Sequence, residues 1–312
     1  MFELKMDFLL KGIVSSFILV STNLFGQDQT TVDFIPGLRK GERMVYQLAE
    51  TKFRQNASGH YLYLMYDTSY LMFSIADKND SQILVDFNYA DAIINGAIYN
   101  EPPPNNLPNY LRTETYKLVL DKNGEFIELS NWEFFSTVLI QNLKISYKAN
   151  LIDSNTLKHY YLYYQKQDNV EKAVLPRVLE LIDIYGKSYQ LENTYSLARE
   201  IVNPFKGKNL LKSCIFKPYK DPSFPNSVFI SGKVKTNDID NECLQEDYYA
   251  FVNERKPDDD SEFVPPYIYI IDSYNYQWGT ITKRIITYTT THTVWMGDDK
   301  QGLDRVYTFY AF

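Results

Sequence analysis

The sequence predicts an α+β protein that is mainly β: a large curved antiparallel sheet, half-barrel-like, covered by two or three central helices. The first indication is the 27 tyrosines against 13 glycines, since tyrosine suits a pleated surface with one wet and one dry face. Strand-like sequence also fills both ends of the chain, whereas residues of about 131–186 change to helical spacing. Strands, then helices, then strands is the order expected when helices cover the concave face of a sheet.

Residues 1–26 are predicted to be a secretory signal peptide. Lys5 and Lys11 give a positive start, and residues 12–25 follow without a charge. This run of about 14 residues is too short to cross a bilayer as a helix and matches the apolar part of an export signal. A buried N-terminal helix is the alternative. We expect cleavage near Gly26, and therefore an exported protein, periplasmic or extracellular and surface-associated, with no transmembrane helix in the mature chain.

Residues 43–89 are predicted to form a β meander. MVYQLAETKF alternates in character along its length, and HYLYLMYDTSYLMFSI is a long aromatic strand preceded by Gly59. The turn DKND (77–80) then leads to the strand SQILVDFNY. Hairpin links are expected between these strands.

A proline-rich loop separates the meander from the clearest hairpin of the sequence. NEPPPNNLPN (100–109) has four prolines and four asparagines, which forbid regular structure. TYKLVLDKNGEFIEL follows, with its turn at Asn123-Gly124, where positive φ angles are required.

Helical periodicity replaces strand periodicity after this hairpin. Ser130 to Glu133 have a capping-box pattern, and residues 131–148 are predicted to be a helix. The segment 155–166 fits either a strand or a helix. Residues 169–185 are predicted to be helical, with a kink or a helix start at Pro176. The apolar face of that segment consists of Val170, Val174, Val178, Leu181 and Tyr185, and Gly186 is a suitable residue to follow the helix.

Strand-like segments resume after Gly186 and continue to the end. They are YQLENTYSLAREIV, LLKSCIFK, SVFISGKVKT, CLQEDYYAFV, YIYIIDSY, GTITKRIITYTTTHTVWM and RVYTFYAF. We interpret residues 27–312 as a single β-rich domain with a helical insertion at about 131–186. A two-lobed arrangement of that domain stays open.

Cys214 and Cys243 are the only cysteines in the sequence. An even count in an exported chain allows a disulfide between them. Two free thiols acting as small apolar residues are the alternative. Neither cysteine has a histidine or a second cysteine at metal-ligand spacing, so no metal is expected.

The order of elements, the export signal and the text LVLDKNGEFIEL leading into a helix resemble exported β-rich envelope proteins with the half-barrel of periplasmic lipid and lipoprotein carriers. The resemblance implies a sheet with a helical lid and a carried ligand, and it assigns no functional residue. The terminal Phe312 also fits the end of an outer-membrane barrel strand. A final strand inside an antiparallel sheet is the preferred interpretation, because the central helical block does not suit a barrel.

Sequence motifs of catalysis and nucleotide binding are absent. No G-x-S-x-G, G-x-x-x-x-G-K-[ST] or H-E-x-x-H occurs, and no cofactor is expected. The net charge of −7 argues against a nucleic-acid partner. His60, His159 and His292 lie in different segments, and His292 is interpreted as a residue of the sheet surface. A catalytic site would require a histidine within hydrogen-bond reach of a carboxylate in a cleft.

Two tyrosine bands are the candidate ligand-binding residues. They are Tyr61, Tyr63 and Tyr66, and Tyr160, Tyr161 and Tyr164. Rings with polar tips suit a lipid-like or other amphipathic ligand, or another envelope protein. The predicted function is binding or carrying an apolar or amphipathic ligand in a pocket with few charges. A structural or protein-interaction module of the envelope is the alternative, ahead of an outer-membrane barrel or a hydrolase.

Overall fold

A computed structural model describes residues 31–90, 92–94, 97–99, 114–205, 207–253 and 265–310. The predicted signal peptide, the proline-rich loop and Phe312 lie outside the described residues. Among the helices in these ranges, none has both the length and the apolar character that crossing a membrane requires.

One antiparallel sheet of eleven strands dominates the molecule, which confirms the predicted fold class. Its first half contains β2 (Arg43–Gln55), β3 (Tyr61–Lys78), β4 (Gln82–Ala90), β7 (Tyr116–Asp121) and β8 (Phe126–Leu129). Its second half contains β10 (Tyr195–Ile201), β11 (Leu210–Tyr219), β12 (Ser227–Lys235), β13 (Ile268–Gly279), β14 (Arg284–Met296) and β15 (Asp299–Tyr310). Two small sheets pair β1 (Thr31–Asp33) with β9 (Ser188–Gln190), and β5 (Ala92–Ile94) with β6 (Ala97–Tyr99).

The two halves join where β15 pairs with β2, in the middle of the sheet. From this junction β14 to β10 extend one way and β3 to β8 the other, so that β10 and β8 are the edges. The edges do not pair with each other, and the sheet is not closed. Strands from before and after the helical block therefore belong to one sheet.

The helical block links one edge of the sheet to the other. It consists of α1 (Trp132–Lys148), α2 (Ser154–Tyr163), α3 (Gln167–Val174) and α4 (Pro176–Ile182). The chain leaves the sheet at β8 and re-enters it at β10, so the connection crosses a face of the curved sheet. The predicted helical lid thus follows from the strand order.

The lid is anchored chiefly by α3, α4 and the turn after them. The predicted apolar face is buried throughout and consists of Val170, Val174, Val178, Leu181 and Tyr185. Helix α1 adds Phe135, whose ring stacks on Tyr116 of β7 with centroids 4.3 Å apart. Helix α2 has no buried residue and packs on α1, farther from the sheet.

The β7–β8 hairpin has the predicted turn at Gly124. Its φ of 92° lies in the left-handed region that favours glycine. A Cβ atom at this position would lie 2.5 Å from Cγ of Pro36, so the turn also requires a residue without a side chain. The hairpin is thereby packed against the segment that precedes β2.

The predicted capping box at the start of α1 is wrong, although the helix begins where expected. Asn131 makes no side-chain cap hydrogen bond to the helix. Its amide oxygen instead accepts from the backbone N–H of Lys117, and its Nδ2 donates to the carbonyl of Thr115. The hydroxyl of Ser130 donates to the Lys117 carbonyl. These side chains connect α1 to the neighbouring strand instead of closing the helix end.

Three other segments resolve or correct the predictions. The ambiguous segment 155–166 is mostly helical, as α2. Pro176 begins α4 at the first helical turn, where its missing N–H costs nothing. The segment CLQEDYYAFV is not a strand but part of helix α5 (Asp238–Asn253). Asp238 and Asp240 near its start are favourable at a helix N-terminus.

Candidate functional site

A polar cleft of about 330 Å³ opens on the concave face of the sheet, beside the lid. Its charged lining consists of Glu180, Arg199, Glu200, Asp272, His292 and Arg305. The remaining lining includes Val202, Val234, Tyr274, Tyr288, Thr290 and Leu303. Strands β13, β14 and β15 supply most of the floor, and α4 and β10 supply the walls.

Strand register explains why the polar residues converge there. Residues of one face alternate along each strand, and directly paired residues form rows across the sheet. The row under the lid is Tyr276, Tyr288 and Tyr307. The next row is Tyr274, Thr290 and Arg305, and the one after that is Asp272, His292 and Leu303. The concave face therefore changes from aromatic to polar where the lid ends.

The imidazole of His292 lies against the carboxylate of Asp272 in this cleft. Nδ1 of His292 and Oδ1 of Asp272 are 2.6 Å apart, and each side chain is about one-third exposed (32% and 29%). The pair therefore has the arrangement that a catalytic site would require, a histidine within hydrogen-bond reach of a carboxylate in a cleft. In the described part of the chain His292 has no hydrogen-bonded serine, threonine or cysteine, so the pair orients an acid–base group without a nucleophile of its own.

Glu180 of α4 fixes the lid to the aromatic row. Its Oε2 accepts from the hydroxyl of Tyr307 at 3.0 Å and from Nη1 of Arg305 at 3.1 Å. Its backbone carbonyl accepts from Tyr276 at 3.0 Å. Burial raises the pKa of the Tyr307 hydroxyl, and the negative charge of Glu180 raises it further. This phenol is therefore a hydrogen-bond donor at neutral pH.

Glu50 of β2 is the deepest charge of the region, with a side chain 3% exposed. It is paired with Arg177 of α4 at 2.5 Å and with Nε of Arg305 at 2.8 Å. Burial alone would lower the pKa of Arg305, but the carboxylates of Glu180 and Glu50 outweigh burial and raise it. Two carboxylates and two guanidinium groups thus compensate one another between the lid and the sheet.

Arg199 of β10 forms the opposite wall and belongs to a second charge cluster. One of its terminal nitrogens lies 2.9 Å from Asp183, which also binds Nζ of Lys187 at 2.9 Å. Burial would raise the pKa of Asp183, but the two cations outweigh it and hold this pKa below its usual value. This cluster has two cations for one carboxylate.

Tyr274 has both ring faces covered. A Cβ atom at Gly232 on β12 would lie 2.4 Å from Cζ of Tyr274, so the glycine leaves the space for this ring. The guanidinium of Arg199 lies over the ring at 4.6 Å from its centroid. Tyr288 is likewise stacked, on Tyr276 with centroids 4.1 Å apart. The cleft therefore offers its ligand polar atoms and ring edges instead of open aromatic faces.

The apolar space between the sheet and the lid is filled by side chains. Around Met44, Tyr46, Phe73 and Tyr185 the remaining cavity is about 10 Å³, the volume of one small void. A cavity of this size cannot hold a lipid chain. The pocket with few charges that the sequence predicted is not found there.

The first predicted tyrosine band lies away from the cleft. Tyr61, Tyr63 and Tyr66 are on β3, at the end near the β2–β3 turn, and are 52%, 68% and 73% exposed. Leu62 and Leu64 between them are also exposed. The band forms an apolar surface on the sheet instead of the lining of a pocket.

The second predicted band lies on and just after α2. Tyr160 and Tyr161 are exposed, whereas Tyr164 packs against the core. The rings of Tyr160, Tyr163, Tyr164 and His159 contact one another. None of these residues lines the cleft, so the structure does not bring the two predicted bands together in one site.

The two cysteines are free thiols, and the disulfide left open by the sequence does not form. Cys214 is buried on β11, with Sγ 3.5 Å from the hydroxyl of Tyr274. Cys243 is exposed on α5. Sequence reasoning assumed a strand around Cys243, and the helix turns this thiol towards solvent.

No group of three or more histidine, cysteine, aspartate or glutamate residues with metal-binding geometry occurs within the described ranges. A run of acidic residues at 258–262, whose oxygen atoms could attract Ca²⁺, lies outside these ranges. The residues of the cleft were missed because Arg199, Asp272 and Arg305 carry no motif. The sequence does indicate them in one way: each is a charged residue at an inward position of a strand whose other inward residues are mostly apolar.

Comparisons with known proteins do not assign the cleft to a family. Comparison of the sequence with the models of protein families gives no match, and comparison with curated proteins gives none either.

Proposed function

We propose that the protein is an exported binding protein of the cell envelope that holds a small amphipathic ligand in the polar cleft. The observation that carries this proposal is the contrast between an open cleft of about 330 Å³ and a cavity of only about 10 Å³ around Tyr46 and Tyr185 beneath the lid. Small-molecule sites usually have volumes of about 300–1,000 Å³ and a few convergent polar groups. The charges of the cleft favour an amphipathic ligand over a purely apolar one.

Native mass spectrometry of the protein purified from its own envelope tests this proposal. We expect a co-purifying small molecule, and we expect Leu303→Trp, which places a large ring in the cleft, to lose it. Leu211→Trp is the matched control, because Leu211 is 67% exposed on β11 and lies outside the cleft. Retention of the molecule by Leu303→Trp would locate binding elsewhere.

Export is the second part of the proposal, supported by the charge and apolar pattern of residues 1–26. Intact mass measurement of the protein recovered from the envelope should give a chain that begins near Gln27. A chain that retains residues 1–26 in the cytoplasm would contradict export.

A protein-interaction module is the second candidate, and the exposed run on β3 favours it. Tyr61 to Leu64 and Tyr66 expose large apolar side chains next to one another, which monomeric surfaces rarely do without a partner. Cross-linking in the native envelope should then capture a partner with the wild-type chain and not with Tyr63→Ser combined with Leu64→Ser. Equal capture by both chains would exclude this surface.

The hydrolase alternative is supported by the Asp272–His292 pair alone. His292 would take a proton from water, the water oxygen would attack an ester carbon, and the proton would pass to the leaving alcohol. Release of acid from short-chain esters by the wild-type chain, and its loss in His292→Gln, would establish this activity. Equal rates for the two chains would exclude it.

A further inference from the structure

We infer that the ligand of the cleft carries an anionic oxygen group, a carboxylate or a phosphate, which binds above Thr290 between Arg199, His292 and Arg305. This inference rests on the proposed binding function and specifies the chemistry of its ligand. It derives from strand register and from the excess positive charge of the cluster that contains Arg199.

Register places three basic side chains around one small polar residue. Thr290 of β14 pairs with Tyr274 on one side and with Arg305 on the other. His292 follows two residues later on the same face of β14. Arg199 covers the Tyr274 ring at 4.6 Å. Thr290 thus occupies the middle of a row that has a guanidinium at each end and an imidazole alongside.

The charge of Arg199 is only partly compensated. Asp183 is shared by Arg199 and Lys187 at 2.9 Å each, which leaves this cluster one positive charge in excess. Nε of Arg199 is buried and has no hydrogen-bond partner in the part of the chain that the structure describes. A buried N–H without an acceptor is costly. An anionic oxygen at the part of the guanidinium that lines the cleft would compensate the excess charge.

Each of the three carboxylates that line the cleft already has a hydrogen-bonded neighbour. Glu180 of α4 binds Arg305 and Tyr307, Glu200 of β10 accepts from Asn209, and Asp272 of β13 binds His292. Arg199 of β10 and Arg305 of β15 line the cleft together with His292.

The rest of the cleft specifies an amphipathic molecule of modest size. Leu303, Val234 and Val202 lie on the same lining as the basic groups. With the ring faces of Tyr274 and Tyr288 covered, these aliphatic side chains are the surface available to an apolar tail. A volume of about 330 Å³ suits a short chain instead of a full-length diacyl lipid.

Isothermal titration calorimetry with octanoate, octyl phosphate and octanol tests the inference on the full chain. We expect at least one of the two anions to bind at least about tenfold more tightly than octanol, and Arg199→Gln to abolish that preference. Arg54→Gln is the control, because Arg54 forms an exposed pair with Asp299 outside the cleft.

Substitution of Thr290 supplies an independent variant pair. Thr290→Glu places a carboxylate among the three basic groups and should block the anions, whereas Thr290→Gln, of the same size but without a charge, should weaken them far less. The preferred anion distinguishes a carboxylate from a phosphate ligand. Equal affinity for octanol, or no binding of either anion, would overturn the inference. A co-purifying neutral ligand would overturn it too and leave the proposed binding function standing.

Discussion

At the scale of single residues, the site depends on which side chains the strand register brings opposite each other. Asp272 and His292 are both on long strands, and alternation predicts the face of each but not the partner. Near the turn Gly279 pairs with Arg284, and this register continued would place Thr291 opposite Asp272. A bulge between Gln277 and Trp278 shifts the pairing by one residue and brings His292 there instead. The sequence contains both members of the pair but gives no sign of the bulge.

The two cysteines give the first residue-scale prediction. Under native conditions iodoacetamide should modify Cys243 alone, because its thiol is exposed on α5, while Cys214 is buried on β11. Intact mass spectrometry should show one added group before unfolding and two after unfolding in denaturant. Cys243→Ser is the control, and it should remain unmodified until it unfolds.

A protein that accepts no label without prior reduction would contain a disulfide and would contradict the free thiols. Labelling of both cysteines at equal rates would contradict the burial of Cys214.

At the scale of elements, α4 is held to the sheet by charge as well as by apolar packing. Arg177 and Glu180 point from this one short helix towards Glu50 and Arg305 on β2 and β15. The apolar periodicity of 169–185 predicted the helix and its buried face correctly. It could not predict the ion pairs, because Glu50 lies in a strand more than a hundred residues away. The alternation of β2 also does not distinguish the inward position of Glu50 from the other inward positions of this strand.

Loss of the Glu50 charge should destabilise the whole fold. Glu50→Gln leaves Arg177 and Arg305 facing each other with one carboxylate fewer, and breaking a buried pair in this way costs about 3 kcal/mol. Urea unfolding followed by tyrosine fluorescence measures this free energy. Asp299→Asn, which removes only the exposed partner of Arg54, should cost less than about 1 kcal/mol.

A Glu50→Gln protein as stable as the wild type would show that the charges between α4 and the sheet do not hold the lid. Near-ultraviolet circular dichroism of both variants verifies that the aromatic packing is retained before unfolding.

At the scale of the whole molecule, the tyrosine content that predicted the sheet also produces its interior. Tyrosines fill the contact between sheet and lid, but they are different tyrosines from those predicted as ligand contacts. The bands at Tyr61 and Tyr160 stood out by density, whereas the buried ones are spread singly over β2, β13, β14 and β15. In this chain a dense run of tyrosines marks an exposed strand end or a short exposed helix. Whether a tyrosine is buried depends on the strand order, which only the fold supplies.

These buried phenols should make the protein sensitive to alkali. Burial raises the pKa of Tyr185 to about 12, from an ordinary 10.0, and burial also raises the pKa values of Tyr46, Tyr276 and Tyr288. Since the native state holds these protons more tightly than the unfolded state, their contribution is complete below pH 10 and is lost as the pH rises towards 12 and beyond. The free energy of unfolding should therefore fall steeply in this window.

Urea unfolding at intervals from about pH 8 to pH 12, with tyrosinate absorbance recorded in parallel, measures this loss. Tyr185→Phe removes one titrating group and should flatten the slope by up to about 1.4 kcal/mol per pH unit. A slope that is the same in Tyr185→Phe and wild type would show that this phenol ionises freely in the native state.

The pairing of β15 with β2 brings residues 255 positions apart into one hydrogen bond, between Arg305 and Glu50. A ribosome that has made everything up to β14 has therefore produced two separate half-sheets, each with an unsatisfied strand edge in what will become the centre. The native topology is inaccessible until the last dozen described residues exist, which favours slow, post-synthetic folding.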